Sequence, residues 1–171
     1  MNGTITSIEQ QIKWDLRMLE LAKHVSSWSK DPSTQVGAVI TFGKKVLSVG
    51  YNGFPADVED KPEWYNDRPT KYSKIVHGEI NAWETINRTW LWKCTLYTYP
   101  FLPCSVCAEE FSKSGLSRVV APKNKDPRWE DSINESKRIL SAKGISVDDS
   151  YEEVCIEEFE HVYYVIRKIG E

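Results

Sequence analysis

Two short motifs of metal-binding residues constrain this chain more than any other feature of its sequence. The first is H-G-E at residues 77–79, and the second is C-S-V-C at residues 104–107, with Pro103 directly before it. An imidazole and two thiolates provide three ligands for one tetrahedral zinc ion. Because the motifs are distant along the chain, the fold must bring them together in space.

The residue types in these motifs indicate a catalytic zinc site. A structural zinc has four protein ligands, whereas a catalytic zinc has three and keeps one position for water. We predict that His77, Cys104 and Cys107 bind the metal, which lowers the pKa of its water to about 7 in well-studied sites. Glu79 follows His77 by two residues and is placed to move the protons of that water. A structural site is the alternative, and its fourth ligand would be Cys94, Cys155, His24 or His161.

Length and composition fit one globular domain spanning residues 1–171. The formal net charge is −3 and no Lys/Arg face is clustered, which argues against a polynucleotide partner but allows a site for a small phosphate ester.

No apolar run resembles a signal peptide or approaches the ~20 residues of a membrane span. Four cysteines, two of them in C-x-x-C, favour metal chemistry in a reducing, cytoplasmic setting.

Hydrophobic periodicity predicts alternating helices and strands. Predicted helices cover residues 6 or 7 to 28, 75–87, 105–114, 131–143 and 151–169, and predicted strands cover 35–42, 45–51, 94–99, 117–121 and 145–147. This order predicts an α/β fold, with a partly parallel sheet covered by helices on both faces. Both motifs fall at predicted helix starts, where the helix dipole favours thiolate. The long connection over residues 52–74 predicts a binding loop, an oligomer contact or an insertion without function.

The joined pattern H-x-E…P-C-x-x-C matches the signature of zinc-dependent cytidine and adenine deaminases. Three further segments, at residues 29–38, 50–55 and 70–72, make the chain resemble the deoxycytidylate (dCMP) deaminases over residues 26–121. The resemblance implies a three-layer α/β/α cytidine-deaminase-like fold with a central mixed five-stranded sheet. It also implies one catalytic Zn²⁺ per chain.

The activity that the resemblance implies is hydrolysis of dCMP to dUMP and ammonia, which supplies dUMP for thymidylate synthesis. Glu79 would then act as the proton shuttle. The resemblance implies that the Gly78 N–H group binds the pyrimidine carbonyl and that the Leu102 carbonyl binds the exocyclic amine. It also implies that the Phe101 ring stacks on the base and that Asn52 contacts the sugar hydroxyl. For the 5′-phosphate, the candidates are Ser29 with Lys30, or Arg128 with Trp129.

Members of this family are commonly regulated by dCTP and dTTP and form homo-oligomers. The resemblance therefore implies dCTP as activator and dTTP as inhibitor, Mg²⁺ with the triphosphate, and a hexamer. Gly50, Asn52 and Gly53 would border the effector site. The setting is the cytoplasm, or the host cytoplasm if the source is viral.

Two departures from the family pattern leave the substrate open. Gly78 stands where the family usually has Ala, and the run at residues 97–102 is one residue longer than usual. A deaminase of free cytosine, cytidine, deoxycytidine or dCTP is therefore the alternative with the same chemistry. From a different class, the alternative is a zinc-stabilised nucleotide-binding module without turnover, which would have no use for Glu79.

Overall fold

The computed structural model describes residues 7–86 and 92–152, together with the backbone of residues 156–159 and 162–165. Its helices are α1 (Ser7–Ser26), α2 (Pro62–Asn66), α3 (Arg68–Lys74), α4 (Gly78–Glu84), α5 (Ser105–Phe111) and α6 (Glu130–Ala142), with a 3-10 turn at Pro127–Trp129. Its strands are β1 (Gly37–Phe42), β2 (Lys45–Tyr51), β3 (Cys94–Tyr99), β4 (Arg118–Pro122), β5 (Ser146–Tyr151), β6 (Ile156–Phe159) and β7 (Val162–Val165).

Five strands form one mixed sheet in the order β2-β1-β3-β4-β5. Strand β1 is antiparallel to β2 and β3, whereas β3, β4 and β5 run parallel. The mixed five-stranded sheet predicted from the sequence is therefore confirmed, including its parallel half after the first hairpin.

Alternating side chains of the sheet pack into two separate cores. On β1, Ala38 and Ile40 join the core that contains helices α4, α5 and α6, while Val39 joins the core beneath α1. This alternation follows from the two-residue period of a strand. The helices thus lie on both faces of the sheet, and α1 buries an apolar stripe formed by Leu16, Leu19, Ala22 and Val25.

A buried ion pair links α1 to the sheet on the face opposite the metal-binding motifs. The carboxylate of Asp15 accepts two hydrogen bonds from the Arg118 guanidinium, at 2.7 and 2.6 Å, and one each from the hydroxyls of Tyr97 and Tyr151, both at 2.8 Å. These contacts satisfy a charge that would otherwise be costly to bury. They connect α1 with β3, β4 and β5.

The connection over residues 52–74 contains two short helices rather than a plain loop. Pro62 and Pro69 lie in the first turns of α2 and α3, where the missing N–H group costs nothing. Phe54 packs against Trp64 and Tyr65, with ring centroids 5.9 and 4.5 Å apart. The segment is therefore a folded part of the molecule.

Some predicted element boundaries were wrong. Helix α4 begins at Gly78 and not at residue 75, because Val76 pairs with Gly53 in a β-bridge that keeps the chain extended. The predicted last helix, 151–169, is also wrong where it can be compared: β5 extends to Tyr151, and β6 and β7 pair antiparallel. Residues 6, 87, 153–155, 160–161 and 166–171 lie outside the described part of the chain.

The error over the last segment has a physical reason. Its apolar residues recur at a spacing that also fits a helix, but the segments I-E-E-F and V-Y-Y-V are rich in β-branched and aromatic side chains, which favour strands.

Among the described helices, none is long and apolar enough to cross a membrane.

Candidate active site

The topology of the sheet brings the predicted site residues to one edge. In the β1 pairings, Gly37 at the start of β1 lies opposite Tyr51 at the end of β2 and Tyr99 at the end of β3. The loops that continue from these three residues therefore meet. They contain residues 31–36, residue 52 and residues 100–104.

The two metal-binding motifs meet at this edge, each at the start of a helix. His77 is the residue before α4, and Cys104 is the residue before α5, while Cys107 lies in the first turn of α5. The Nδ1 atom of His77 lies 3.2 Å from Sγ of Cys107 and 3.4 Å from Sγ of Cys104. The three ligand atoms all lie within 4.8 Å of one another.

This donor set fits a catalytic zinc ion. Zn–N and Zn–S bonds of about 2.1 and 2.3 Å at a tetrahedral angle place nitrogen and sulfur about 3.6 Å apart, close to the observed separations of 3.2 and 3.4 Å. Within the described residues, neither Cys94 nor His24 joins the group, and the side chains of Cys155 and His161 lie outside them. The three residues would hold the ion and leave a fourth position for water.

The surroundings of Cys104 favour its thiolate, whereas the hydrogen bond with Cys104 and burial raise the pKa of the Cys107 thiol. The pKa of Cys104 lies well below that of an ordinary thiol because Cys107 and His77 donate hydrogen bonds to its sulfur. The same contact with Cys104 raises the pKa of His77 to about 9. Thiolate, and not thiol, is the zinc ligand.

Glu79 lies in the first turn of α4 with 4% of its surface exposed, and it lines the same cavity as His77 and Cys104. Burial raises the pKa of its carboxyl to about 7; the charge of His77 opposes this effect, and Cys104 adds to it. A divalent ion on the three ligands would favour the carboxylate and lower this pKa. A buried carboxyl that titrates near neutrality is suited to proton transfer.

Two of the metal-binding residues, His77 and Cys104, line a cavity of about 360 Å³. The rings of Phe101 and Trp129 form one side of it, with centroids 5.3 Å apart. Exposed side chains also line it. These are Arg68 and Tyr72 from α3, and Arg128 from the 3-10 turn.

The structure brings some of the predicted substrate residues to this cavity but not all of them. Phe101, Asn52, Arg128 and Trp129 line it; Leu102 and Gly78 are buried and lie outside its lining. Ser29 is also outside, and its hydroxyl donates to the Asn52 carbonyl at 2.8 Å. Lys30 is outside as well, and its exposed ammonium lies 2.6 Å from Asp60.

The side chain of Asn52 organises the wall of the cavity. Its Oδ1 atom accepts from the Val36 N–H group at 2.8 Å, and its Nδ2 atom donates to the Thr34 carbonyl at 2.9 Å and to Asp31 at 3.2 Å. A contact with a sugar hydroxyl would have to replace or share one of these bonds.

A buried ion pair in the cavity wall was not recognised from the sequence. The Lys71 ammonium lies 2.7 Å from Asp31 and donates to the Ser33 hydroxyl at 2.7 Å, and both charged side chains are at least 92% buried. Burial opposes ionisation of Asp31, but the hydrogen bonds from Lys71, Ser33 and Thr34 lower its pKa overall. Residues 70–72 had been noted only as part of the family resemblance, and nothing in the sequence pairs residues 40 positions apart.

Two glycines allow the strands to lie directly against the metal-binding helix. A Cβ atom on Gly50 would lie 2.3 Å from the backbone nitrogen of Ala82 and 2.4 Å from the carbonyl of Gly78. A Cβ on Gly78 would lie 3.0 Å from Cα of Tyr51 and from the carbonyl of Val36. Of the predicted effector residues, Gly50 is therefore buried beneath α4, whereas Gly53 pairs with Val76.

Comparison with known proteins places this architecture among the deaminases. The family model described as the cytidine and deoxycytidylate deaminase zinc-binding region matches residues 12–123. An uncharacterized deaminase in the luxG 3′ region of Aliivibrio fischeri is 40% identical over 138 residues, which are 79% of this chain and 92% of that protein. A probable deoxycytidylate deaminase of Caenorhabditis elegans is 39% identical over 133 residues, and this chain spans 66% of its length.

The fold agrees with that of a solved deaminase. The dCMP deaminase of cyanophage S-TIM5, in complex with dCMP and dUMP, superposes with a TM-score of 0.60 over 85% of this chain and 99% of that one. The two sequences are 17% identical, so the match concerns the fold. It confirms the predicted three-layer architecture.

Proposed function

Because the chain belongs to the cytidine and deoxycytidylate deaminase family, and is therefore a hydrolytic deaminase, we propose that it converts dCMP to dUMP and ammonia. A relative with 39% identity is named a probable deoxycytidylate deaminase, which supports this choice among the pyrimidine substrates. By the same proposal, the reaction supplies dUMP for thymidylate synthesis.

The observation that carries the proposal is the polarity of the cavity. Its lining includes the half-buried His77, the buried Cys104 and the buried carboxyl of Glu79, which suit the attack of water on a ring carbon. The same lining includes two exposed arginines, Arg68 and Arg128, and a guanidinium suits a phosphate group. A pyrimidine nucleoside monophosphate has its reactive amine and its charge at opposite ends.

Each of the buried residues has a specific task in this reaction. His77, Cys104 and Cys107 would hold zinc, which lowers the pKa of a coordinated water when it is bound. Glu79 takes a proton from the attacking water as the C4–O bond forms and gives it to ring atom N3. It then carries the second proton to the exocyclic amine as the C4–N bond breaks, so that ammonia leaves.

The aromatic side of the cavity serves the base. Phe101 and Trp129 offer a ring surface beside the metal-binding residues, and stacking on an aromatic side chain accepts any pyrimidine. The contacts from the Gly78 N–H group and the Leu102 carbonyl are part of the proposal, since they would recognise the ring carbonyl and the exocyclic amine of cytosine.

A zinc-stabilised binding module without turnover is the less favourable alternative. Burying the carboxyl of Glu79 beside the ligands costs free energy, and a protein that only binds nucleotides gains nothing from it. The buried Glu79 therefore favours the enzyme.

Several further properties belong to the proposal. We expect one deaminase domain over residues 1–171, one zinc per chain, a cytoplasmic location and a homo-oligomer, with a hexamer as the expected size. Activation by dCTP with Mg²⁺, and inhibition by dTTP, would appear as shifts of the dCMP saturation curve. Sedimentation with and without these nucleotides measures the assembly.

The experiment that tests the function compares substrates on the zinc-loaded protein. Ammonia release is measured as a function of concentration for dCMP, deoxycytidine and dCTP. We expect the highest kcat/KM for dCMP. A protein that deaminates only deoxycytidine, or only dCTP, contradicts the proposal, and a protein with one zinc and no turnover on any of the three supports the binding module.

A further inference from the structure

We propose that Arg68 binds the 5′-phosphate of the substrate and gives the enzyme its preference for a nucleotide over a nucleoside. The inference rests on the proposed function, because it names the residue that recognises the charged end of the same substrate. It replaces Ser29 and Lys30, which lie outside the lining of the cavity.

The position of Arg68 fits this role. It is the first residue of α3, and Tyr72 lies four residues later on the same face of that helix. Both side chains line the cavity that contains His77 and Glu79, and both are exposed. The guanidinium of Arg68 can thus reach a ligand without leaving a buried position.

The other two cations that line this cavity are already paired. The ammonium of Lys71 contacts both carboxylate oxygens of Asp31, at 2.8 and 2.7 Å, and donates to a hydroxyl. The guanidinium of Arg128 donates to both carboxylate oxygens of Asp126, at 3.0 and 2.5 Å. Among the described residues, Arg68 has no acidic partner.

This pairing decides where the positive charge of the cavity lies. The Asp31–Lys71 and Asp126–Arg128 pairs each have no net charge, so Arg68 contributes an uncompensated positive charge to the exposed part of the lining. A phosphate monoester carries about −1.5 to −2 near pH 7 and accepts two parallel hydrogen bonds from a guanidinium. The Arg68 side chain therefore complements a phosphate in both charge and geometry.

Lys125 is the competing candidate. It lines a neighbouring cavity of about 530 Å³, which shares Phe101 and Arg128 with the first one, and it too has no acidic partner among the residues that the structure describes. We favour Arg68 because it lines the cavity that contains the metal-binding residues, whereas Lys125 does not.

The test measures kcat/KM for dCMP and for deoxycytidine in the wild type and in four variants. Arg68→Gln removes the proposed phosphate ligand, and Arg68→Lys keeps its charge but loses the planar fork. Lys125→Gln tests the competing site. Arg138→Gln makes the same change of charge at an exposed residue of α6, away from the cavity. Thermal melting and zinc content establish that each variant is folded.

We expect Arg68→Gln to lower the ratio of the two kcat/KM values, dCMP over deoxycytidine, by about 10- to 100-fold, which corresponds to one lost charge-assisted contact. The loss should appear mainly as a higher KM for dCMP. Arg68→Lys should recover part of the ratio, and Arg138→Gln should keep the wild-type ratio.

Three results would overturn the inference, and they are distinguishable from one another. If the wild type prefers dCMP and Arg68→Gln keeps that preference, Arg68 does not bind the phosphate, although the proposed function stands. If Lys125→Gln loses the preference and Arg68→Gln does not, the phosphate lies in the neighbouring cavity. If the wild type does not prefer dCMP over deoxycytidine, the proposed function itself fails.

Discussion

The carboxyl group of Glu79 lies in surroundings where desolvation makes the ionised form unfavourable in free energy. It is 96% buried at the start of α4, and no lysine or arginine pairs with it among the described residues. Residues that are placed this way usually serve chemistry and not stability, because an apolar or neutral side chain would fit with less cost.

Glu79→Gln is therefore expected to abolish most of the activity and keep the metal. Loss of general acid–base catalysis lowers kcat by about 10²- to 10⁴-fold or more. Ammonia release and zinc content measure the two effects. Glu84→Gln is the matched control, because Glu84 lies on the same helix and is exposed. Near-normal turnover of Glu79→Gln would refute its role as proton shuttle.

The metal-binding residues could be predicted from the sequence because local geometry determines them. A C-x-x-C motif at a helix start presents both sulfurs to one point, and the structure brings Cys104, Cys107 and His77 together as expected. The Asp31–Lys71 pair and the partnerless Arg68 could not be predicted in this way. They depend on how the segment 52–74 folds back over the cavity, which no local pattern encodes.

At the scale of elements, the contact between β2 and α4 is the tightest near the site. Gly50→Ala would place a methyl group against the backbone of Ala82 and Gly78, at 2.3 and 2.4 Å, so strand and helix must separate. We expect a loss of about 2–4 kcal/mol in the free energy of unfolding, and lower activity because α4 carries Glu79.

Urea denaturation measures this loss. Gly53→Ala is the control, since its new methyl group would meet only the Tyr51 ring, at 3.9 Å. Equal stability of the two variants would show that β2 and α4 are not held at this distance in solution.

The ion pair between Asp31 and Lys71 attaches α3 to the loop beside β1, and its contribution should depend on pH. The pKa of Asp31 is lowered in the folded protein, so its stabilisation is fully present above the unfolded value of about 3.9 and is lost as the pH falls through the folded value. Lys71→Met should cost about 3–5 kcal/mol at pH 7 because it leaves a buried carboxylate unpaired.

The difference between wild type and Lys71→Met should then shrink as the pH falls below about 4. Denaturation curves at several pH values measure it. Lys30→Met breaks an exposed, solvent-screened pair with Asp60 and should leave the stability almost unchanged at every pH. A cost for Lys71→Met that does not change with pH would contradict the assigned ionisation of Asp31.

The sequence predicted the elements of the sheet and failed in the last segment. Strands β1 to β4 have short apolar cores bounded by turn residues, so their positions agree with the prediction. Residues 156–159 and 162–165 have a pattern that fits either a helix or a strand, and their pairing as β6 and β7 depends on tertiary contacts. The short helices α2 and α3 were missed because five to seven residues show too little periodicity.

At the scale of the whole molecule, the metal site joins two helices that follow different strands. His77 belongs to the start of α4, and Cys104 and Cys107 belong to α5. Zinc binds the folded arrangement and not the separated ligands, so it must stabilise the fold.

Removal of zinc with a chelator is expected to lower the Tm by about 10 °C, from roughly 4 kcal/mol of binding linkage. Calorimetry with and without the chelator measures the shift. Cys104→Ala should contain less than one zinc per chain and show no shift. Cys94→Ala, which changes a buried thiol on β3 outside the metal site, should behave like the wild type. Full zinc content in Cys104→Ala would mean that the ligands are misassigned.

The inward-facing lysine of α3 has a consequence for how such an enzyme can diversify. Because Lys71 fixes the helix to the cavity wall, no ion pair among the described residues depends on the exposed positions Arg68 and Tyr72, although the Tyr72 ring lies 6.0 Å from the Lys71 ammonium. Mutation can exchange them while the residues of the reaction centre are preserved. Substrate choice and chemistry are thus separately adjustable, and a designer who seeks a new nucleotide preference should randomise these two positions first.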